Sequence, residues 1–580
     1  MSTIYGPVTP ACDAIHGSRY RMPSEDFRSA MTRIASALCD DQTHFKAFRD
    51  ILLGMRFMPA GRIQSAMGST KIVTAYNCFV SGTIEDSYTD GAGSIMARAT
   101  QAATTMRLGG GIGYDFSPLR PRGELIRKLQ SLSSGSVSFM HIYDAIGNTT
   151  AASGHRRGAQ MGVLRVDHPD IEEFIRAKQN SNRLTSFNIS VAVTDEFMTA
   201  VANDTEFSLR WGGKEYRKIY ARVLWDAIMR STYDWSEPGV LFIDRINSQN
   251  NLAYCEKIYA TNPCGEQPLP PHGACLLGSF NLVKYLSRSF TTKWKFNFSQ
   301  FAADIPHVVR AMDNVIDKAR YPLYEQEKEA YSKRRMGLGV TGLANAVEAI
   351  GHPYGSESFL DYTGAILTAL RDVSYRTSAR LAKEKAPFPM YRPDPYLSAP
   401  FIRDLPDEIR ELIATNGIRN SHLLSIAPTG TISFAADNIS SGIEPVYAYN
   451  QTRIINSPEG PTGVEVEDYG SRFLGCKGKV MSEVTAQEHL AVLETASRFV
   501  DSAVSKTCNL PQSIEWEQFK ELYIQAWKNG CKGCTTYREG GYRAGVISKA
   551  KDEEDETVTK VAGNGYICTI DPLTGARDCS

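Results

Sequence analysis

The stretch Thr261–Cys275 reads Thr-Asn-Pro-Cys-Gly-Glu-Gln-Pro-Leu-Pro-Pro-His-Gly-Ala-Cys, and it constrains the fold of this chain more than any other. Four prolines and two glycines exclude a regular helix. The backbone there is extended or turning, and on an extended stretch residues i, i+2 and i+4 point the same way. Asn262, Cys264 and Glu266 are therefore expected on one face, with an amide, a thiol and a carboxylate sharing a small volume. Cys275 adds a second thiol eleven residues after Cys264. Taken alone, the segment reads equally well as a proline-rich surface loop with a stray cysteine.

Composition removes several classes. Lys+Arg and Asp+Glu tie at 64 each over 580 residues, so the chain lacks the basic surplus that displaces counterions from nucleic-acid phosphates. No apolar run approaches the ~18 residues of a membrane span, and the N-terminus lacks the basic and apolar regions of a signal peptide. A cytoplasmic protein that binds neither nucleic acid nor membrane is expected. The twelve cysteines then read as thiol chemistry or buried apolar groups, not as a disulfide scaffold. Cys531 and Cys534 form the one Cys-x-x-Cys and lack a second pair, so no metal site is expected and packing is the favoured reading for both.

Between Ser24 and Gly54, apolar residues recur at helical spacing (Phe27, Met31, Ile34, Leu38, Phe45, Phe48, Leu52). From Met58 to Cys534, helical patterns alternate with short strand-like runs such as Phe187–Val193 and Leu423–Ile426, a rhythm of α/β architecture around a central sheet or barrel. Lys549–Lys560 is charged and nearly free of large apolar residues, as a solvated linker is. It leads to a last segment holding Cys568 and Cys579. The expected layout is a helical segment over 1–57, a catalytic body over 58–545 and a tail over 546–580.

Four further segments stand out. Ala75–Val80 places Cys78 in a strand-like run, where a thiol is most often a packing residue. Ala427–Ser433 (Ala-Pro-Thr-Gly-Thr-Ile-Ser) follows an apolar strand and opens a helix, so its hydroxyls and N–H groups suit a phosphate or merely cap the helix. The glycines of Leu108–Ser117 have the wrong spacing for a dinucleotide fingerprint and are read as letting backbone pass close to backbone. Ser153–Gly162 reads as a flexible basic loop.

In this order, the motifs resemble those of the catalytic subunits of ribonucleotide reductases, most closely the adenosylcobalamin-dependent class II enzymes. The resemblance runs from about Met58 to Arg538 and takes in His168-Pro169-Asp170-Ile171 and Gly533-Cys534-Thr535-Thr536-Tyr537-Arg538. It implies a ten-stranded α/β barrel of the ribonucleotide reductase and glycyl radical enzyme type. Such a barrel has two antiparallel halves of five parallel strands and a central finger loop carrying Cys264. It further implies that Cys264 forms the thiyl radical, Glu266 acts as base, and Asn262 holds the ribose hydroxyls. Cys78 and Cys275 would supply the reducing equivalents and finish as a disulfide. Asn77, Pro428, Thr429, Gly430, Thr431 and Ser433 would bind substrate, and Asp86, Arg156 and Arg157 a dNTP or ATP effector.

Cys568 and Cys579 would carry electrons inward from thioredoxin or glutaredoxin. About 25 flexible residues reach roughly 25–30 Å, comparable with a barrel radius. Class I relatives use a tyrosine pair near the C-terminus, and this chain has no Tyr-Tyr dipeptide. A class III enzyme would carry an Arg shortly before its Gly-Tyr, and Gly565-Tyr566 lacks one. The resemblance therefore implies adenosylcobalamin, ribonucleoside diphosphates as substrates, and a homodimer. The segment before Met58 is too short for the usual ATP-cone, so overall control by ATP and dATP is expected to be absent. Rival readings are a class I large subunit and an inactive nucleotide-binding relative. Relatives carry Gln-Gly-Gly where this chain has Ala152-Ser153-Gly154, a departure that bears on allosteric substrate selection.

Overall fold

Phe187–Val193 is buried at every position, as befits a strand covered on both faces. In the computed structural model, which describes residues 5–152, 156–179, 183–288, 293–457, 460–542, 569–570 and 577–578, it is the fourth of five parallel neighbours. These are β1 (Cys78–Val80), β2 (Gly111–Asp115), β3 (Gln160–Arg165), β4 (Phe187–Val193) and β5 (Gly239–Phe242).

The second half runs β6 (Ala274–Asn281), β7 (Met336–Thr341), residues 423–426, β8 (Thr507–Leu510) and β9 (Gly533–Arg538). The first two and the last two are parallel pairs, and single bridges Leu338↔Leu424 and Ile426↔Val504 connect them. The halves meet antiparallel at both seams, β1 against β6 and β5 against β9. Two sets of five parallel strands thus close into one ring, as the resemblance implies.

The hairpin Ala260–Thr261/Pro268–Leu269 threads this ring. Glycine makes room for it: a Cβ on Gly113 would lie 1.8 Å from the Thr261 carbonyl oxygen, and one on Gly111 would lie 3.0 Å from the Pro263 ring. The glycines of β2 therefore do let backbone pass backbone.

The amphipathic stretch 24–54 folds as two helices, α2 (Phe27–Leu38) and α3 (Gln42–Leu53), capped by the Asp26 and Asp41 carboxylates. An earlier helix, α1 (Pro10–Tyr20), has no strong apolar stripe and escaped the sequence reading. It packs on α4 (Gly430–Ala435), and Val8 and Thr9 donate backbone N–H bonds to the Asp437 carboxylate at 2.9 and 2.8 Å. Phe57–Pro59 then pairs with β6. Gln160–Gly162, read as loop, belongs to β3, and Ala151–Ala152 pairs antiparallel with Arg156–Arg157. Among the described residues, no helix is long and apolar enough to cross a membrane.

Candidate active site

The tip of the threaded hairpin is a tight turn, not the extended run expected. Gly265 N–H donates to the Asn262 carbonyl at 3.1 Å, Asn262 N–H to the Gln267 carbonyl at 3.1 Å, and Gln267 N–H to Asn262 Oδ1 at 2.9 Å. Gly265 adopts φ +82°, a left-handed value that the lack of a side chain permits. Cys264 and Glu266 border one cavity, and the Asn262 side chain reaches Cys78 on its wall. Both barrel halves hold the tip in place. Asn188 of β4 donates to the Pro263 carbonyl at 3.0 Å, while Ser425 Oγ and Ala503 N–H both donate to the Glu266 carbonyl at 3.0 Å.

Cys78 and Cys275, 197 positions apart in sequence, face each other directly across the β1/β6 seam. Facing residues on antiparallel strands have Cα atoms roughly 4.5–5.5 Å apart, within the span of a disulfide. Asn262 Nδ2 donates to Cys78 Sγ at 3.1 Å, which ties the finger to the thiol pair. Burial pushes both thiols well above the ordinary range, and the nearby Glu266 carboxylate adds to the shift. Both are therefore protonated at neutral pH, the form that donates hydrogen.

A cavity opens above them, lined by Asn77, Cys78, Cys264, Glu266 and the run Ala427–Ile432 among others. Asn77 Oδ1 is buried there without a hydrogen-bond partner among the described residues, an acceptor waiting for a hydroxyl. Thr429 takes φ +57° and opens α4. Its Oγ1 lies 2.9 Å from Ser433 Oγ and from Thr341 Oγ1, and accepts from Gly442 N–H at 2.6 Å. Thr429, Gly430 and Thr431 border the cavity. Ser433 Oγ lies one layer back, 2.9 Å from Thr429 Oγ1 and 2.7 Å from Thr341 Oγ1. Tyr20 of α1 also lines the cavity, a residue that sequence reasoning missed because α1 and α4 lie 410 positions apart.

Cys264 borders a second cavity on its other side, walled by Ser190, Gly265, Ala503, Ser505, Gly533, Cys534 and Thr535 among others. Cys534, read as packing, is thus a wall residue of this cavity, hydrogen-bonded to Cys508; Cys531 is fully buried.

The family model described as the ribonucleotide reductase barrel domain matches residues 76–467 and 477–537. This chain belongs to the ribonucleotide reductase family. The chain is 34% identical over 536 residues to the vitamin B12-dependent ribonucleoside-diphosphate reductase of Mycobacterium tuberculosis (strain CDC 1551 / Oshkosh), covering 87% of this chain and 73% of that one. It is 31% identical over 624 residues to the enzyme of the same name from Thermoplasma acidophilum, covering 99% of this chain and 78% of that one. Identity to the vitamin B12-dependent ribonucleotide reductase of Streptomyces clavuligerus is 28% over 535 residues, 77% of this chain and 55% of the relative.

The regulatory residues expected of a reductase lie apart from the barrel's hollow. Asp86 is held by Arg120, through Nε at 2.8 Å and the backbone N–H at 3.1 Å. Arg156 and Arg157 pair antiparallel with Ala151 and Ala152; residues 153–155 lie outside the described residues, as do Cys568 and Cys579. The strands beside those cysteines, Thr569–Ile570 and Arg577–Asp578, pair antiparallel, and the second lies against α4.

Proposed function

We propose that this chain reduces ribonucleoside diphosphates to 2′-deoxyribonucleotides by thiyl-radical chemistry, with adenosylcobalamin as radical source and a thioredoxin-type dithiol as reductant. The observation that carries this reading is Cys264 at a finger tip, with Glu266 beside it and the facing pair Cys78/Cys275 below the same cavity. The names of the relatives from M. tuberculosis and T. acidophilum support the diphosphate substrate and the vitamin B12 cofactor.

The second cavity also reaches Cys264, and its walls include the small residues Ser190, Gly265, Ala503, Ser505 and Gly533, which supports it as the side from which the radical is generated. Ser190, Ala503, Ser505 and Gly533 would border adenosylcobalamin on that side, where it would supply the one-electron oxidation that turns the Cys264 thiol into a thiyl radical. On the substrate side, Cys264 takes the 3′-hydrogen of the ribose, and Glu266 accepts the 3′-OH proton as general base. Asn77 and the Asn262 amide hold the hydroxyls, while Thr429, Gly430 and Thr431 bind phosphate. The 2′-OH leaves as water with a proton from the thiol pair. Cys78 and Cys275 deliver two hydrogens in all, and Cys264 returns the abstracted hydrogen to C3′, which regenerates its thiyl radical. The sum is ribonucleotide plus dithiol giving deoxyribonucleotide, disulfide and water.

Cys568 and Cys579 then re-reduce the pair. The placement of Arg577–Asp578 against α4, whose first residues border the cavity, supports that reach. An effector at Asp86, Arg156 and Arg157, a homodimer and a cytoplasmic location belong to the same reading. Dithiothreitol-supported reduction of CDP, assayed with and without adenosylcobalamin, tests it. Turnover only with the cofactor is the expected result; turnover without it, on addition of a radical-generating subunit, overturns the cofactor assignment.

A further inference from the structure

The two sulfurs of the facing pair occupy different surroundings. Cys78 borders the substrate cavity, whereas Cys275 does not and is fully buried behind it. A reagent entering the cavity therefore meets the Cys78 sulfur and not that of Cys275.

The charges are also uneven. The register Leu276↔Met336 sets Arg335, one residue earlier on the β7 side, beside Cys275. Cys275 thus has Cys78 opposite it on one strand and Arg335 level with it on the other, close enough for the Arg335 charge to act on it. Arg335 is 3% exposed and held by Glu329 at 2.6 Å and by Glu256, while Lys333 contacts both carboxylates at 2.8 Å. Those two cations and two carboxylates balance, so a thiolate formed next to Arg335 enters a cluster with no net negative charge. Burial, Glu266, Asp501 and Glu329 all disfavour a Cys275 thiolate, and Arg335 is the cation that favours it. Around Cys78 the counterpart is one neutral donor, the Asn262 amide.

We propose that the Cys78–Cys275 disulfide is opened with a fixed polarity: the entering thiolate attacks Cys78, and Arg335 is the positioning residue that receives Cys275 as the leaving thiolate. This rests on the redox role given to the pair above. In the first step, the thiolate's electron pair forms a new S–S bond to Cys78, and the old bond's pair stays on Cys275. The second thiol of the reductant gives its proton to water and attacks the entering sulfur, releasing Cys78 as thiolate. Both cysteines then take up protons. The reductant dithiol ends as a disulfide and the enzyme pair as two thiols.

Full-length chains carrying Cys275→Ser or Cys78→Ser, treated with glutathione disulfide and read by peptide mass, test the polarity. Cys78 in the first variant is expected to carry a stable glutathione adduct, and Cys275 in the second to remain unmodified. In the otherwise natural oxidised chain, Arg335→Gln is expected to slow reduction of the disulfide by dithiothreitol about tenfold, with Arg335→Lys restoring most of the rate. Preferential adduct formation at Cys275, or an unchanged rate in folded Arg335→Gln, overturns the proposal. Should Arg335→Gln fail to fold, the adduct pattern in the two cysteine variants decides. A chain that never forms the disulfide on oxidation overturns the redox role as well, whereas one opened at Cys275 overturns only the polarity.

Discussion

At the scale of single residues, the site depends on groups whose chemistry has no substitute. Serine in place of Cys264 keeps the size but loses the weak S–H bond, so Cys264→Ser is expected to abolish CDP reduction entirely, measured as deoxynucleotide formed. Glu266→Gln keeps the volume and removes the base. Its kcat is expected to fall by about 10²–10⁴ with little change in KM, the usual worth of a positioned base. Tyr20 borders the cavity from α1, so Tyr20→Ala is expected to raise KM severalfold in steady-state assays and to leave the redox pair intact. Asn262, Cys264 and Glu266 were legible as a trio because their spacing, chemistry and helix-breaking neighbours coincide. Their geometry was not: a turn closed by Gly265, not an extended strand, carries them, and side-chain types alone do not distinguish the two.

At the scale of elements, the finger loop stands or falls on the room that β2 leaves it. A methyl on Gly113 would collide with the Thr261 carbonyl, and backbone cannot yield as a flexible side chain can. Gly113→Ala is expected to cost about 1–3 kcal/mol in denaturant unfolding and to lower activity about a hundredfold through a displaced Cys264. The tail makes a separate prediction. Removing both Cys568 and Cys579 is expected to spare dithiothreitol-driven turnover and to impair thioredoxin-driven turnover; equal loss with both reductants refutes the shuttle. Strand β4 and the helices around α2 and α3 were readable because periodicity reports burial directly. Helix α1 was not, since its apolar residues are few and its partner, α4, is remote in sequence.

At the scale of the whole molecule, buried ion pairs join segments that meet only in the closed ring. Glu256, before the finger, pairs with Lys333 and Arg335 at the entrance to β7. Burial opposes its ionisation, but the guanidinium of Arg335 and the ammonium of Lys333 outweigh it and depress the carboxyl from 4.5 to about 2. The stabilisation is therefore complete above pH 4.5 and is lost as pH falls toward 2. Thermal melts across that window are expected to show the loss. Glu256→Gln is expected to cost about 3–5 kcal/mol at neutral pH, because it strands buried cations, and to flatten that part of the acid profile.

The amino-acid sequence alone determined the alternation of strands and helices, the helix-breaking segment that must carry Cys264, and the hydroxyl-rich start of α4. These are local properties, written in periodicity and backbone preference over a few adjacent residues. Only the tertiary structure decided that Cys78 meets Cys275, that Tyr20 reaches the cavity, and that Arg335 stands beside one sulfur of the pair and not the other. Such contacts depend on strand register and ring closure, and each is fixed by the summed packing of hundreds of residues, so no short stretch of chain encodes it.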